Sequence, residues 1–238
     1  MKKFSAVIIA IFALAVAQGQ KTILDANAEK RTVGNFRGIQ VATGIELILT
    51  EGTTQEVAVS AASTEFRDKI ETKVEGGILK IEYDNKLKAA NTRKEKKNLK
   101  AYVSYTTLDV LNAHTGAVVK IEGTLKTSAL KMEVHTGAVV KGKVDINDLS
   151  VDQGTGSEVT LTGEAEKLVV EGDTGSMFHG TDLLTSDCSV TASTGAGVTI
   201  TVNRELNAKV NTGAYVKYKG DAGIKEIRTN SGGKVTKI

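Results

Sequence analysis

The string HTGAVVK occurs twice in this chain, at residues 114–120 and again at 135–141, and both copies belong to a longer periodicity. Aligning every Thr-Gly or Ser-Gly after Leu108 gives Thr115-Gly116, Thr136-Gly137, Thr155-Gly156, Thr174-Gly175, Thr194-Gly195, Thr212-Gly213 and Ser231-Gly232, at spacings of 21, 19, 19, 20, 18 and 19 residues. Four residues before each Thr or Ser stands an apolar residue: Leu111, Met132, Val151, Val170, Val190, Ala208 and Ile227. Four after it stands another: Val119, Val140, Val159, Phe178, Val198, Val216 and Val235. Six before it, the five central copies carry Leu130, Leu149, Leu168, Cys188 and Leu206. Val-rich apolar positions that alternate around a fixed Gly are a strand signal, because a helix needs 3.6-residue spacing.

Each unit therefore reads as strand, corner, strand. A unit of 19 residues cannot bury its apolar side alone, so copies must stack, and strand units of this period stack into a parallel β-helix. A leucine-rich repeat would want an asparagine ladder and a helical return, and a propeller blade about twice the residues. The expected fold is all-β: a single-stranded, right-handed parallel β-helix of about seven Thr-Gly coils, with a β-rich portion before it. Gly116, Gly137, Gly156, Gly175, Gly195, Gly213 and Gly232 are its structural corners, where glycine admits φ > 0 or close backbone approach. The small residues one place on, from Ala117 and Ala138 to Gly233, keep the corner tight. Cys188 falls in a register otherwise held by Leu and reads as a core residue, and a single Cys forms no internal disulfide.

Residues 1–17 read as a signal peptide: Lys2 and Lys3, an apolar run from Phe4 to Val16, and Ala15 and Ala17 at the −3 and −1 positions of an A-x-A site. Without them the charge is 29 basic against 28 acidic residues, +1 rather than +3. No later run approaches the ~20 apolar residues of a membrane span. The expected location is outside the cytoplasm: periplasm, outer surface or medium. Residues 18–107 form the β-rich portion, with strand patterns in GIQVATGIELILT (38–50), EVAVS (56–60), ILKIEY (78–83) and AYVSY (101–105), but without the Thr-Gly register; residues 108–238 carry the repeats.

These stretches carry a family resemblance. FRGIQVATGIELILTEG at 36–52, VEGGILKIEYDN at 74–85, LKAYVSYTTLDVLNAHTGA at 99–117 and the later Thr-Gly corners resemble the head GIN domain family of auto-transporter adhesins, common among secreted proteins of Bacteroidetes. The resemblance covers nearly the whole chain after its leader. It implies a right-handed β-helix and an adhesin-like role, and it transfers no catalytic residue.

In stacked coils, residues of equal register form surface columns. One place before the corner stand His114, His135, Gly154, Asp173, Ser193, Asn211 and Asn230. Three before it stand Asn112, Glu133, Asp152, Glu171, Thr191, Lys209 and Arg228. Glu133, Asp152 and Glu171, beside Asp173, admit three readings: a hydrated polar face, a cation site, or a carboxylate pair for glycoside cleavage, since rungs about 4.8 Å apart approach the ~5–5.5 Å of retaining glycosidases. His114 and His135, one rung apart, either share a metal or merely share a repeat.

The loop at 84–100 carries seven basic residues, Lys94, Lys96 and Lys97 among them, against Glu95 within 86–100. Such a run suits an acidic polymer or solvent. With no aromatic residue from 84 to 101 it lacks the stacking platform of single-strand nucleic-acid binders. No nucleophile-elbow, zincin, P-loop or dinucleotide motif is present, and no cofactor is expected. The expected function is a non-enzymatic, exported binding or adhesive surface for envelope polysaccharide or protein, the alternative being a polysaccharide hydrolase or lyase that uses the acidic column.

Overall fold

A computed structural model of the chain describes residues 25–84 and 96–238. The first seven strands are β1 (Glu29–Arg31), β2 (Gly38–Val41), β3 (Glu46–Glu51), β4 (Glu56–Ser60), β5 (Ile70–Glu75), β6 (Ile78–Tyr83) and β7 (Lys100–Tyr105), with one short helix, α1 (Thr64–Arg67), after β4. The repeats supply β8 (Val110–Ala113), β9 (Val118–Val134), β10 (Val139–Gln153), β11 (Glu158–Gly172), β12 (Met177–Ala192), β13 (Gly197–Val210), β14 (Tyr215–Lys219), β15 (Gly223–Thr229) and β16 (Lys234–Lys237). Each long strand runs from one corner to the next and pairs in parallel with the same stretch of the following coil: Val119 with Val140, Val140 with Val159, Val159 with Phe178, Phe178 with Val198, Val198 with Val216. The molecule is the β-solenoid that the repeat requires.

The inward registers hold. Met132, Val151, Val170, Val190 and Ala208 are buried, as are Leu130, Leu149, Leu168, Cys188 and Leu206, so each coil covers the apolar side of its neighbour. Ile227 keeps this register against Ala208 yet is 40% exposed, because no described coil lies beyond it.

The corner is tighter than a lone glycine would make it. Both of its residues are left-handed: Thr or Ser at φ between 44° and 60°, then Gly at φ between 68° and 82°. The Ala117 amide donates to the His114 carbonyl at 3.1 Å and Ala214 to Asn211 at 3.0 Å, which closes a two-residue turn of the hairpin type. The ladder continues through the corner, each Gly N–H donating to the Thr or Ser carbonyl of the next coil, as from Gly137 to Thr155 at 3.0 Å. The small residue that follows, Ala117, Ala138, Ser157, Ser176, Ala196 or Ala214, points into the core.

The structure corrects the reading of the N-terminal portion. Thr43 and Gly44, at φ 60° and 70°, form an eighth corner, and the Gly44 amide donates to the Thr115 carbonyl at 3.0 Å. The stretch 38–50 is thus two strands with a corner between them, and it lies in the solenoid's register. Stack order departs from chain order here. The β2–β3 coil lies between β8–β9 on one side and β6–β7 on the other, through the pairs Gln40–Asn112, Ile48–Lys120, Gln40–Lys80 and Ile48–Tyr102. Outside β6–β7 the chain turns antiparallel: β5 pairs β6, β4 pairs β7 and β1 pairs β4. Short, charged antiparallel strands at this end blunt an edge that would otherwise invite a further parallel strand. Among the described residues no helix is long and apolar enough to cross a membrane.

Candidate functional site

The row of Thr-Gly corners forms an exposed edge with a sheet face on either side. On the face before the corner, Asn112, Glu133, Asp152, Glu171, Thr191, Lys209 and Arg228 do fall in one column, each paired in register with the next. Glu133 and Asp152 are half-buried and Glu171 is exposed. Glu133, the first carboxylate of the three, does not stand as a bare charge. Glu133 accepts from the Lys131 ammonium at 2.7 Å, which holds its pKa below the usual carboxylate value, and the His135 Nε2 lies 3.9 Å from Asp152.

His114 and His135 also meet, their rings stacked 5.7 Å apart and within 7° of parallel. Two parallel rings send their in-plane lone pairs side by side rather than toward one point, so this geometry does not suit a shared metal. Among the described residues no group of three or more His, Cys, Asp or Glu is arranged to hold one. Burial lowers the His114 pKa, and the neighbouring His135 lowers it further, against the opposing pull of Glu133 and Glu82. Gly154 makes room for the stack, since a Cβ there would lie 3.0 Å from His135 Nδ1.

Asp173, one column over, is tied into the edge itself. Its pKa is lowered first by the Thr194 hydroxyl, then by the Thr174 amide at 2.7 Å and the Ser193 hydroxyl at 3.0 Å. Every described carboxyl with a displaced pKa is displaced downward: Asp25, Glu75, Glu133, Asp173 and Asp187. A glycosidase acid needs the opposite shift.

Beyond the corner lies a different surface. At the end of the stack an open depression of about 770 Å³ is floored by Thr43 and Gly44 and lined by Lys96, Lys97, Lys100, Lys120, Glu46 and Tyr83. The Lys97 ammonium sits 4.2 Å from the centre of the Tyr83 ring, and Lys120 pairs with Glu46. Of the basic run singled out in the sequence, Lys96 and Lys97 are here, while Lys94 lies outside the described residues. Lys100, the last residue of that run, lines the depression too, whereas Lys120 and Glu46 were missed. The available signal was Thr43-Gly44, which has Ile39 four places before it and Leu47 four after, the frame of every later corner. A second depression, of about 750 Å³ around Phe36, Gln55 and Asp109, is largely self-satisfied: Gln55 exchanges two hydrogen bonds with the Phe36 backbone, and Arg37 pairs with Asp109.

The family model described as "Putative auto-transporter adhesin, head GIN domain" matches residues 35–222. The chain belongs to that family. Among solved structures, a putative adhesin from Bacteroides fragilis superposes with a TM-score of 0.79 at 19% identity, over 89% of this chain and 96% of its own. A putative lipid binding protein from Parabacteroides distasonis gives 0.65 at 17%, over 90% and 98%, and a putative adhesin from Parabacteroides merdae 0.62 at 14%, over 89% and 95%. At these identities the likeness shows the fold alone. No curated protein matches the chain.

Proposed function

We propose that this head GIN domain protein is an exported, non-enzymatic β-solenoid whose exposed flanks bind envelope polysaccharide or protein in the manner of an adhesin. The observation that carries this reading is the electrostatic state of the acidic column. There Glu133 is held ionised by the Lys131 ammonium, and in the neighbouring column Asp173 by hydroxyl and amide donors, so these two groups offer charge and hydrogen-bond acceptors rather than a proton to donate. The adhesin-type family and the apolar leader-like start of the chain support an exported location. A repetitive rod suits such a role, since it repeats surface groups at the rung spacing of about 4.8 Å. Incubation of the purified protein with acidic and neutral glycans and with envelope fractions tests the reading. Retention without new reducing ends or unsaturated products is expected, and release of either product would replace binding with hydrolysis or lyase chemistry.

A further inference from the structure

We infer that the basic depression over Thr43 and Gly44 is the binding site for an acidic glycan, a polymer that carries carboxylate, sulfate or phosphate groups among its hydroxyls. The inference rests on the non-enzymatic binding reading above and names the ligand class. Its first support is where the depression sits. The Thr-Gly edge ends at Thr43-Gly44, because in the outermost coil β6 and β7 are joined by residues 84–99 in place of a two-residue corner. Lys96 and Lys97, from that connection, line the depression together with Lys100 and Lys120 of the neighbouring strands.

Charge is the second support. Among the described lining residues four lysines stand against one carboxylate, that of Glu46, which already pairs with Lys120. Low walls that carry one sign of charge focus the field and raise the local concentration of an oppositely charged polymer.

The third support is the set of acceptors. In the later coils the Thr or Ser carbonyl receives the Gly amide of the preceding corner, but no described backbone N–H reaches the Thr43 carbonyl at the end of the column. With the Glu46 carboxylate it offers acceptors to hydroxyl donors, next to ammonium groups that suit acid groups. An acidic sugar supplies both kinds of group on one ring. The volume of about 770 Å³ lies within the ~300–1,000 Å³ of small-ligand sites, and the open form lets a chain run through. Other polyanions fit less well. Tyr83, the aromatic residue of the described lining, is only 6% exposed and lies under Lys97, so it offers no free face to stack a base, and the exposed large apolar residues among those described, Val169, Leu184, Ile224, Ile227 and Ile238, lie on other coils, away from any bilayer docked here.

The test is binding of polygalacturonate and dextran sulfate, with neutral dextran and phosphatidylglycerol vesicles as the contrasting probes, at two ionic strengths. The wild-type chain is expected to bind the two acidic glycans with salt-sensitive affinity and to leave dextran and vesicles unbound. The Lys96→Gln, Lys97→Gln, Lys120→Gln triple variant should weaken binding at least about tenfold, the order expected when most cations leave a screened site. Lys96→Gln alone, an exposed change that leaves the Tyr83 and Glu46 contacts in place, should give a smaller loss in the same direction. Lys217→Gln with Lys234→Gln, toward the far end of the same sheet face, should change nothing. Equal binding by the triple variant, equal loss in the distant pair, or retention by vesicles alone overturns the inference. Retention of neutral glycan or envelope fractions that ignores these lysines overturns it while the proposed function stands, and a wild-type chain that retains no glycan, vesicle or envelope fraction defeats both.

Discussion

Replacing Gly156 with Val tests the corner directly, because the structure separates backbone strain from crowding at that position. Gly156 sits at φ +68°, and a Cβ built there meets nothing within 4 Å. At the Cβ the cost is then conformational rather than steric. A β-branched residue forced into the left-handed region costs about 2–3 kcal/mol, the upper part of the range for strained non-glycine residues. For a chain of this size that corresponds to a fall in Tm of roughly 4–12 °C. Glu158→Val, two residues on, removes a surface pair with Lys141 worth at most ~1 kcal/mol and puts a good strand former in its place, so its net effect should be close to zero. Gly163→Ala should exceed both, since its Cβ would fall 2.1 Å from the Val144 carbonyl oxygen at φ +103°. Urea unfolding followed by circular dichroism gives the midpoints, and the slopes show whether the array still unfolds as one unit. If Gly156→Val and Glu158→Val unfold within about 0.5 kcal/mol of each other, an uncertainty typical of such comparisons, the left-handed corner is wrong. Thr155→Asn makes the converse case: asparagine tolerates this conformation better than threonine, so the variant should gain up to about 1 kcal/mol. A loss would show that the threonine side chain itself is required at the edge.

Burial pushes the Cys188 thiol pKa well above its ordinary value, so a thiol reagent should leave the native protein unlabelled and modify it stoichiometrically in denaturant; labelling at native rates would remove Cys188 from the core. Because the folded pKa of His114 is depressed, the stability it contributes is complete above its unfolded value near 6.5 and is lost as pH falls through the folded value, so His114→Gln should flatten the decline in stability between about pH 7 and 5. An unchanged slope would sink that assignment. Calcium should raise Tm no more than sodium chloride of equal ionic strength, since Glu133 is already matched by Lys131 and no described group of three acidic or histidine side chains converges on one point; a calcium-specific gain abolished by Asp152→Asn would restore the cation site.

The sequence was most readable where neighbouring coils impose the same demand on equivalent residues. Leu130, Leu149, Leu168, Cys188 and Leu206 occupy one register because each packs against the next, and a periodic requirement of that kind leaves a periodic trace. It also made the surface columns legible, since inward residues fix the outward ones between them. What the columns do chemically was less legible. Whether Glu133 stands as a free charge depends on Lys131, a neighbour on the same face, and whether two histidines can share a metal depends on ring orientation, which spacing along the chain does not encode. The turn itself was half legible: glycine announced a positive φ, but threonine, a poor residue for that conformation, gave no sign of sharing it in coil after coil.

The N-terminal end was hidden for a different reason. Its corner, Thr43-Gly44, lies 72 residues before the next one, so no 19-residue period reaches it, although Ile39 and Leu47 frame it as in every other coil. The intervening chain forms β4, α1 and β5, then returns as β6–β7 on the outer side of the coil it has just left. Seen from the stack, this detour has a physical use. A parallel solenoid that simply began would present a bare strand edge, whereas here the outermost coil is covered by antiparallel strands on both of its described flanks. In the same coil β6 and β7 are joined by residues 84–99 rather than by a two-residue corner, and Lys96 and Lys97 of that connection line the depression with Thr43 and Gly44. Replacing 84–99 by a Thr-Gly corner removes Lys96 and Lys97 from the depression, so it should weaken retention of acidic glycan in the binding assay while leaving the urea midpoint of the coils beyond β8 as it is.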